Sequence, residues 1–172
     1  GEIRDQETAQ LAVQASLTGH LVLSTLHTND APNSVTRLVD MGLEAYKLGS
    51  ALRGIIAQRL MRKLCTTCRE KSTQEPPERI KKYLPEGSVI NRAVGCPDCS
   101  MTGYRGRSGL FELLTFDEGV RATITEQPDL ARLRRESQRQ GLTPLRLAGL
   151  RKVAQGLTTL DEVLRATPDF TA

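Results

Sequence analysis

Apolar residues change their rhythm three times along this chain. Ala9, Ala12, Val13 and Leu17 fall at i, i+3, i+4 and i+8, which is one face of a helix. Asp5 is placed to cap that helix, Glu7 sits near its positive dipole end, and Gly19 ends it. Leu21, Val22 and Leu23 then form a short apolar run of the kind found in a strand covered on both faces. The run turns polar at Ser24, Thr25, His27 and Thr28. Asn29 or Asp30 can cap a second helix that buries Val35, Leu38 and Val39, tolerates Pro32 in its first turn and stops at Gly42. From Leu48 the spacing Leu48, Ala51, Leu52, Ile55, Ile56 reads as helix, but Gly54 predicts a break. A strand after Arg53 would then place Ile56, Gln58 and Leu60 on one face. Residues 1–62 therefore predict α/β layering.

Over residues 63–106 the rhythm disappears. The middle of this stretch, KSTQEPPERIKKYLPEGS, holds three of the eight prolines and no sustained apolar period, so a core of its own could hardly hold it. Residues 107–172 open on RSGLFELLTF, a predicted strand, and become helical afterwards. A short echo, QGLTPL at 140–145 and QGLTTL at 155–160, reads as helix punctuation: a glycine stop, then a threonine start. Thr143 precedes Pro144 as a first-turn proline, and Thr159 with Glu162 fits a capping box.

Composition narrows the picture. At 38% hydrophobic and 3% aromatic residues, the core of these 172 residues must be aliphatic. So few aromatic rings argue against a base-stacking platform for nucleic acid. The net charge of +4, from 24 basic and 20 acidic residues, describes an ordinary solvated surface. No run approaches the ~18 apolar residues of a membrane helix, and no signal segment opens the chain, which begins with Gly1.

All four cysteines fall in two C-x-x-C pairs, Cys65 with Cys68 and Cys96 with Cys99, separated by 27 residues. Two residues between cysteines let both sulfurs turn to one centre, and a second pair completes the tetrahedron that Zn²⁺ accepts. The spacer is longer than usual, but loop-closure entropy grows slowly with length. Two disulfides or two redox pairs are the competing readings. Redox pairs belong with a thioredoxin-like βαβ frame, which neither pair has, so the spacing favours a closed, structural zinc site. Such a site folds a segment without a core and calls for a reducing compartment. Lys63, Arg69 and Lys71 flank the first pair, either softening its negative charge or simply solvated.

His27 lies at the polar end of the predicted strand, where ligands bind in open α/β sheets. The surrounding Ser-Thr-x-His-Thr-Asn cluster can donate hydrogen bonds to phosphate or orient a water. A lone histidine at a strand end equally serves to satisfy backbone groups, and spacing alone favours that plainer role. His20 precedes the strand and has no assigned part.

GEIRD at the start, STLHTNDAPNSVTRLVDMG after the apolar run, IIAQRLMRKLC and the paired C-x-x-C followed by GYRGRSGLFELL together resemble the secretion-type hexameric ATPases over essentially the whole chain. The tetracysteine module is similar to the type II secretion and type IV pilus assembly (extension) branch, and retraction ATPases lack it. The resemblance implies the C-terminal part of a RecA-like P-loop NTPase core in residues 1–62, a tetracysteine zinc module in 63–106, and a strand plus small helical subdomain in 107–172. It implies that Glu2 is the Walker B glutamate, holding Mg²⁺ through water or polarising the attacking water, and that His27 lies near the γ-phosphate of ATP. It assigns Cys65, Cys68, Cys96 and Cys99 to Zn²⁺ and leaves the parts of Arg4, Asp5, Thr25 and Thr28 open. No G-x-x-x-x-G-K-[ST] occurs in these residues. The expectation is thus a C-terminal fragment, inactive alone, of a cytoplasmic homo-hexamer that works with inner-membrane platform and anchor proteins and does not bind nucleic acid directly. A zinc-stapled nucleic-acid- or protein-binding module without catalysis is the alternative.

Overall fold

In a computed structural model the structure describes residues 1–170, so the last two residues of the predicted 107–172 subdomain lie outside the described residues. In chain order the elements are α1 (Gln6–Leu17), α2 (Ala31–Asp40), α3 (Ala45–Ala51), β1 (Gly54–Leu64), β2 (Glu70–Lys71), α4 (Glu78–Lys81), β3 (Asn91–Arg92), β4 (Tyr104–Thr115), α5 (Glu118–Arg121), α6 (Leu130–Arg139), α7 (Leu145–Ala154) and α8 (Leu160–Ala166). A single 3₁₀ turn, Pro97–Cys99, lies before β4. The long strands β1 and β4 pair with each other, and β2 pairs with β3 antiparallel, Glu70 opposite Arg92 and Lys71 opposite Asn91. No helix among the described residues is long and apolar enough to cross a membrane.

The chain divides into two compact units: residues 1–57 with 112–143, and residues 58–111 with 144–170. In the first, α1 packs on α3, and α2 and α5 pack on α6. Val13, Val35, Leu38, Leu48, Leu114, Val120 and Leu133 supply its aliphatic core. In the second, α7 packs on α8, and Met61, Ile80, Leu110, Leu145, Leu150, Val153 and Val163 are buried. Each long strand alternates as a one-sided sheet should: Leu110, Glu112 and Leu114 are buried in β4 while Phe111 and Leu113 are exposed. In β1 the face carrying Ile56, Gln58 and Leu60 is the exposed one.

Most local signals act where the residues place them. Asp5 caps α1 by accepting the Thr8 amide at 2.8 Å. Asp30 caps α2 through the Asn33 amide at 2.8 Å, and α3 ends at Ala51 while β1 begins at Gly54.

Three expectations need correction. Leu21, Val22 and Leu23 form no strand. Leu21 and Leu23 are 85% and 81% exposed, and the isolated bridge nearby among the described residues is a parallel one between Glu2 and Thr25. An apolar run becomes a covered strand only when neighbours saturate its backbone and cover its faces, and no described residue covers these two leucines. Pro144 precedes α7 as its cap and is not its first helical residue. The capping box at α8 is half made: the Thr159 hydroxyl accepts the Glu162 amide, but the Glu162 carboxylate turns away to the backbone and side chain of Arg62, a stronger, charge-assisted partner.

Candidate functional site

Two groups of candidate residues come together, one in each unit. The first begins with the bridge between Glu2 and Thr25, secured by the Ile3 amide on the Thr25 carbonyl at 2.8 Å. Alternate residues of an extended segment point the same way, so His27 falls on the side of Thr25, next to Glu2. The result is a contact of 3.0 Å between His27 Nε2 and Glu2 Oε1. As a hydrogen bond it requires the proton on Nε2, in the neutral tautomer or in imidazolium. The other carboxylate oxygen, Oε2, takes Arg4 Nε at 2.8 Å and Nη2 at 2.6 Å. That charge-assisted hydrogen bond from Arg4, with its Coulombic attraction and that of His27, outweighs desolvation and holds the Glu2 carboxyl below its ordinary range. Glu2 is therefore an anion at neutral pH. With two contacts on Oε2 and one on Oε1, it keeps acceptor capacity on Oε1 for a water or a hydrated cation.

The segment carrying His27 is tied on its far side as well. The Thr28 hydroxyl bonds the Asp30 carbonyl at 3.1 Å and meets Ser34 Oγ at 2.7 Å. The first turn of α2 is gripped by buried charges: Glu112 Oε1 accepts the Ala31 amide at 2.8 Å, and Arg134 Nη2 reaches Asp30 Oδ2 at 2.7 Å. A buried carboxylate at a helix N-terminus gains from the positive end of the dipole. Glu2, Ile3, Arg4, Leu26, His27 and Arg37 line an open cavity of about 350 Å³. In this structure Arg4 pairs with Glu2, Asp5 caps α1, Thr25 bridges to Glu2 and Thr28 bonds within its loop. Sequence reasoning passed over Arg37, Glu112 and Arg134. Arg37 lies seven residues after the cap Asp30, hence on nearly the same helix face, and that spacing was the available signal.

In the second unit all four cysteines are free thiols, and their sulfurs lie within 4.8 Å of one another. Cys65–Cys96, Cys68–Cys99 and Cys96–Cys99 are 3.9, 3.8 and 3.8 Å apart. A tetrahedron with metal–sulfur bonds of about 2.3 Å has edges of about 3.8 Å, so these four donors fit one metal ion. They are also far too distant for disulfides, whose sulfurs lie about 2 Å apart. Backbone amides point at the sulfurs: Gly95 at Cys68 (3.3 Å), and Cys96 and Gly103 at Cys99 (3.2 and 3.1 Å). Both glycines are forced by close approach. A Cβ on Gly95 would meet the Met101 carbonyl at 2.6 Å, and one on Gly103 would meet Ala93 Cβ at 2.6 Å. The chain turns between them through left-handed Ser100 and Met101, with φ of 52° and 62°, a conformation that costs non-glycine residues about 1 kcal/mol each.

Burial pushes the Cys99 thiol up, but the amides of Cys96 and Gly103 with the neighbouring thiols more than offset it and leave it at about 6. Burial and those same neighbours push Cys96 up to about 12. Backbone amides thus favour the thiolate at Cys65 as well as at Cys99, and a bound cation would neutralise the cluster. Of the flanking cations, Arg69 donates to the Gly156 carbonyl at 2.6 Å and so anchors the loop before α8.

The family model described as "Type II/IV secretion system protein" matches residues 1–165. The type IV pilus assembly ATPase TfpB of Acinetobacter baylyi is 45% identical over 98% of this chain and 29% of its own length. The type II secretion system protein HxcR of Pseudomonas aeruginosa is 50% identical over 98% of this chain and 33% of its own. The type II secretion system ATPase E of Vibrio cholerae is 48% identical over 98% and 34%. The chain thus spans about a third of the length of these relatives. Among solved structures, the pilus retraction motor PilT with bound ADP superposes with a TM-score of 0.64 at 29% identity, covering 99% of this chain and 39% of that one. The Legionella pneumophila ATPase DotB, with a TM-score of 0.62 at 24% identity, covers 96% and 36% and shares the α/β fold. The chain belongs to the type II/IV secretion system protein family.

Proposed function

We propose that this chain is the portion of a cytoplasmic, homo-hexameric ATPase that carries the catalytic acid and the histidine, and that the whole protein powers type II secretion or type IV pilus assembly at the inner membrane. One observation carries the reading: Glu2 and His27 meet at 3.0 Å over an open cavity, in a chain whose relatives are named ATPases of those systems. Glu2 would hold Mg²⁺ through water or polarise the attacking water, and His27 would serve the γ-phosphate. This chemistry is positioning and charge neutralisation, with no covalent intermediate on the protein. ATP hydrolysis would move the ring's domains against an inner-membrane platform and its anchor proteins, through which the ATPase is peripherally bound. In this reading residues 1–62 belong to the RecA-like core, 63–106 to a metal-braced module and 107–172 to the strand and helical subdomain. Cys65, Cys68, Cys96 and Cys99 would hold Zn²⁺, which braces the chain there and takes no part in hydrolysis.

The 172-residue chain has no phosphate loop in its sequence, so it is expected to turn over no Mg-ATP by itself. Turnover by the purified chain above a Glu2→Gln control would overturn that expectation. In the full-length protein the same substitution is expected to lower turnover by about 10²–10⁴-fold. Unchanged turnover there would remove Glu2 from catalysis.

A further inference from the structure

The His27 ring is held by little around it. Its side chain is 94% exposed, and among the described residues its polar contact is Glu2 Oε1 at 3.0 Å. Packing does not fix an exposed ring, so the backbone on either side must set where it stands. On one side the anchor is Thr25, bridged to Glu2, with its carbonyl on the Ile3 amide. On the other side it is Asp30 and Ala31, gripped by Arg134 and Glu112. His27 lies two residues from the first anchor and three from the second.

The second anchor is built more strongly than a helix start requires. An N-cap needs one side-chain oxygen on an amide of the first turn. Asp5 does this for α1 while exposed, with no cation on it among the described residues. Asp30 does it with Oδ1, which takes the Asn33 amide and Nδ2 at 2.8 Å each. Its other oxygen, Oδ2, takes Arg134 Nη2 of α6 at 2.7 Å, in a pair whose side chains are only 7% and 14% exposed. The desolvation of a buried ion pair offsets much of its attraction, so such a pair is a poor source of stability. Its best-attested use is to select one arrangement of the elements that carry it. Here that arrangement includes the His27 segment, because the Asp30 carbonyl accepts the hydroxyl of Thr28, the neighbour of His27, at 3.1 Å.

We infer that Arg134 is a positioning residue: through Asp30 it fixes the segment that keeps the His27 ring against Glu2. The inference rests on the reading of His27 as a residue that serves the γ-phosphate. Arg134 does not line the cavity at Glu2, so its effect on the reaction passes through His27.

Arg134→Met alone would leave Asp30 buried and unpaired, which endangers the fold. The test therefore uses the double variant Asp30→Asn, Arg134→Met, which keeps a capping side chain and leaves no unpaired charge. In the 172-residue chain, the nuclear Overhauser effect between the His27 ring and the Glu2 side chain is expected to weaken several-fold in the double variant. It should survive in Arg134→Lys, which keeps the ion pair. In the full-length protein the double variant is expected to lower kcat by about 10–100-fold, while KM for Mg-ATP stays within about twofold, since the displaced group serves the transition state. With His27→Ala already in place, the double variant should lower kcat no further, because the group it positions is gone. A merely structural role would cost as much in either background.

An unchanged Overhauser effect in the folded double variant overturns the inference. So does an undiminished loss of kcat in the His27→Ala background. If His27→Ala by itself leaves kcat at the wild-type value while the double variant still weakens the Overhauser effect, the catalytic reading of His27 falls and the positioning by Arg134 stands.

Discussion

Residues 20–28 and residues 155–163 are short stretches with opposite fates. The first is built on leucines, yet Leu21 and Leu23 stand in solvent, and the polar residues from Ser24 to Thr28 make the contacts that tie it down. The second is built on glycine and threonines, yet almost every group is occupied. The Gly156 carbonyl accepts Arg69 at 2.6 Å, and the Leu157 carbonyl accepts the Leu64 amide at 2.9 Å. The Thr158 hydroxyl donates to the Arg62 carbonyl at 2.8 Å, and Thr159 Oγ1 meets the Tyr104 hydroxyl at 3.0 Å. Burial follows the partners available, more than the polarity of the residues. A polar loop can be locked by a ring of hydrogen bonds worth about 1 kcal/mol each, while an apolar run without neighbours stays bare.

The locked region leans on the cysteine cluster, since Arg69 follows Cys68 directly and the Cys65 amide bonds the Gly103 carbonyl at 2.9 Å. The sharpest way to break the comparison is therefore to remove the metal ligands. About one zinc per chain is expected, and structural zinc contributes on the order of 10 kcal/mol to folding in small domains. Cys96→Ser, or chelation, should strip amide-exchange protection from residues 63–106 and free the loop at 155–159. Protection in α1 and α2 should largely survive. Uniform loss across the chain would contradict this partition. Metal analysis finding no zinc, with two disulfides by mass, would contradict the site itself.

A smaller effect comes from Glu162, which lies within the locked region and is buried. It accepts the Arg62 amide at 2.9 Å and its guanidinium at 2.7 Å, and it also pairs with Arg165. The Arg62 guanidinium in turn stacks over Tyr104 at 4.0 Å. The hydrogen bonds from Arg62 hold the Glu162 carboxyl below its ordinary 4.5 despite burial. A lowered carboxyl contributes stability that is complete above the unfolded value and is lost as pH falls through the folded one. Glu162→Gln should cost about 2 kcal/mol at pH 7, discounted because Arg62 is half exposed. The gap to wild type in urea melts should shrink below about pH 4. A gap that persists unchanged at pH 3 would mean that packing, and not the ion pair, is what the glutamate supplies.

What could be read in advance follows the range of the forces involved. Caps act over three residues, so Asp5, Asp30 and Thr159 were legible, as was the break at Gly54. The cysteine quartet was legible because metal geometry imposes spacing on the sequence itself. The closeness of Glu2 and His27 followed from a motif resemblance, and the parallel bridge at Thr25 supplies its physical cause. Long-range choices were not legible. Nothing near Glu162 announces that it will prefer Arg62 over its own helix cap. Nothing in FELL announces that Glu112 will hold the amide of Ala31. Those pairings depend on which surfaces meet, and periodicity shows only which surfaces are apolar.

The smallest effect tests the bare side of the comparison. A buried leucine truncated to a small residue costs about 2–5 kcal/mol, because transfer and cavity terms add. Leu21 and Leu23 have little contact to lose, so neither term applies, and surface substitutions usually stay within about 0.5 kcal/mol. The double variant Leu21→Ser, Leu23→Ser should therefore unfold in urea at nearly the wild-type midpoint, and at the same midpoint whatever the protein concentration. Its β-propensity is lower, but a segment outside any strand makes little use of that propensity. If the double variant instead loses several kcal/mol, the two leucines are covered in solution. A wild-type midpoint that rises with protein concentration would then identify a second copy as the cover, since only association makes stability depend on mass action.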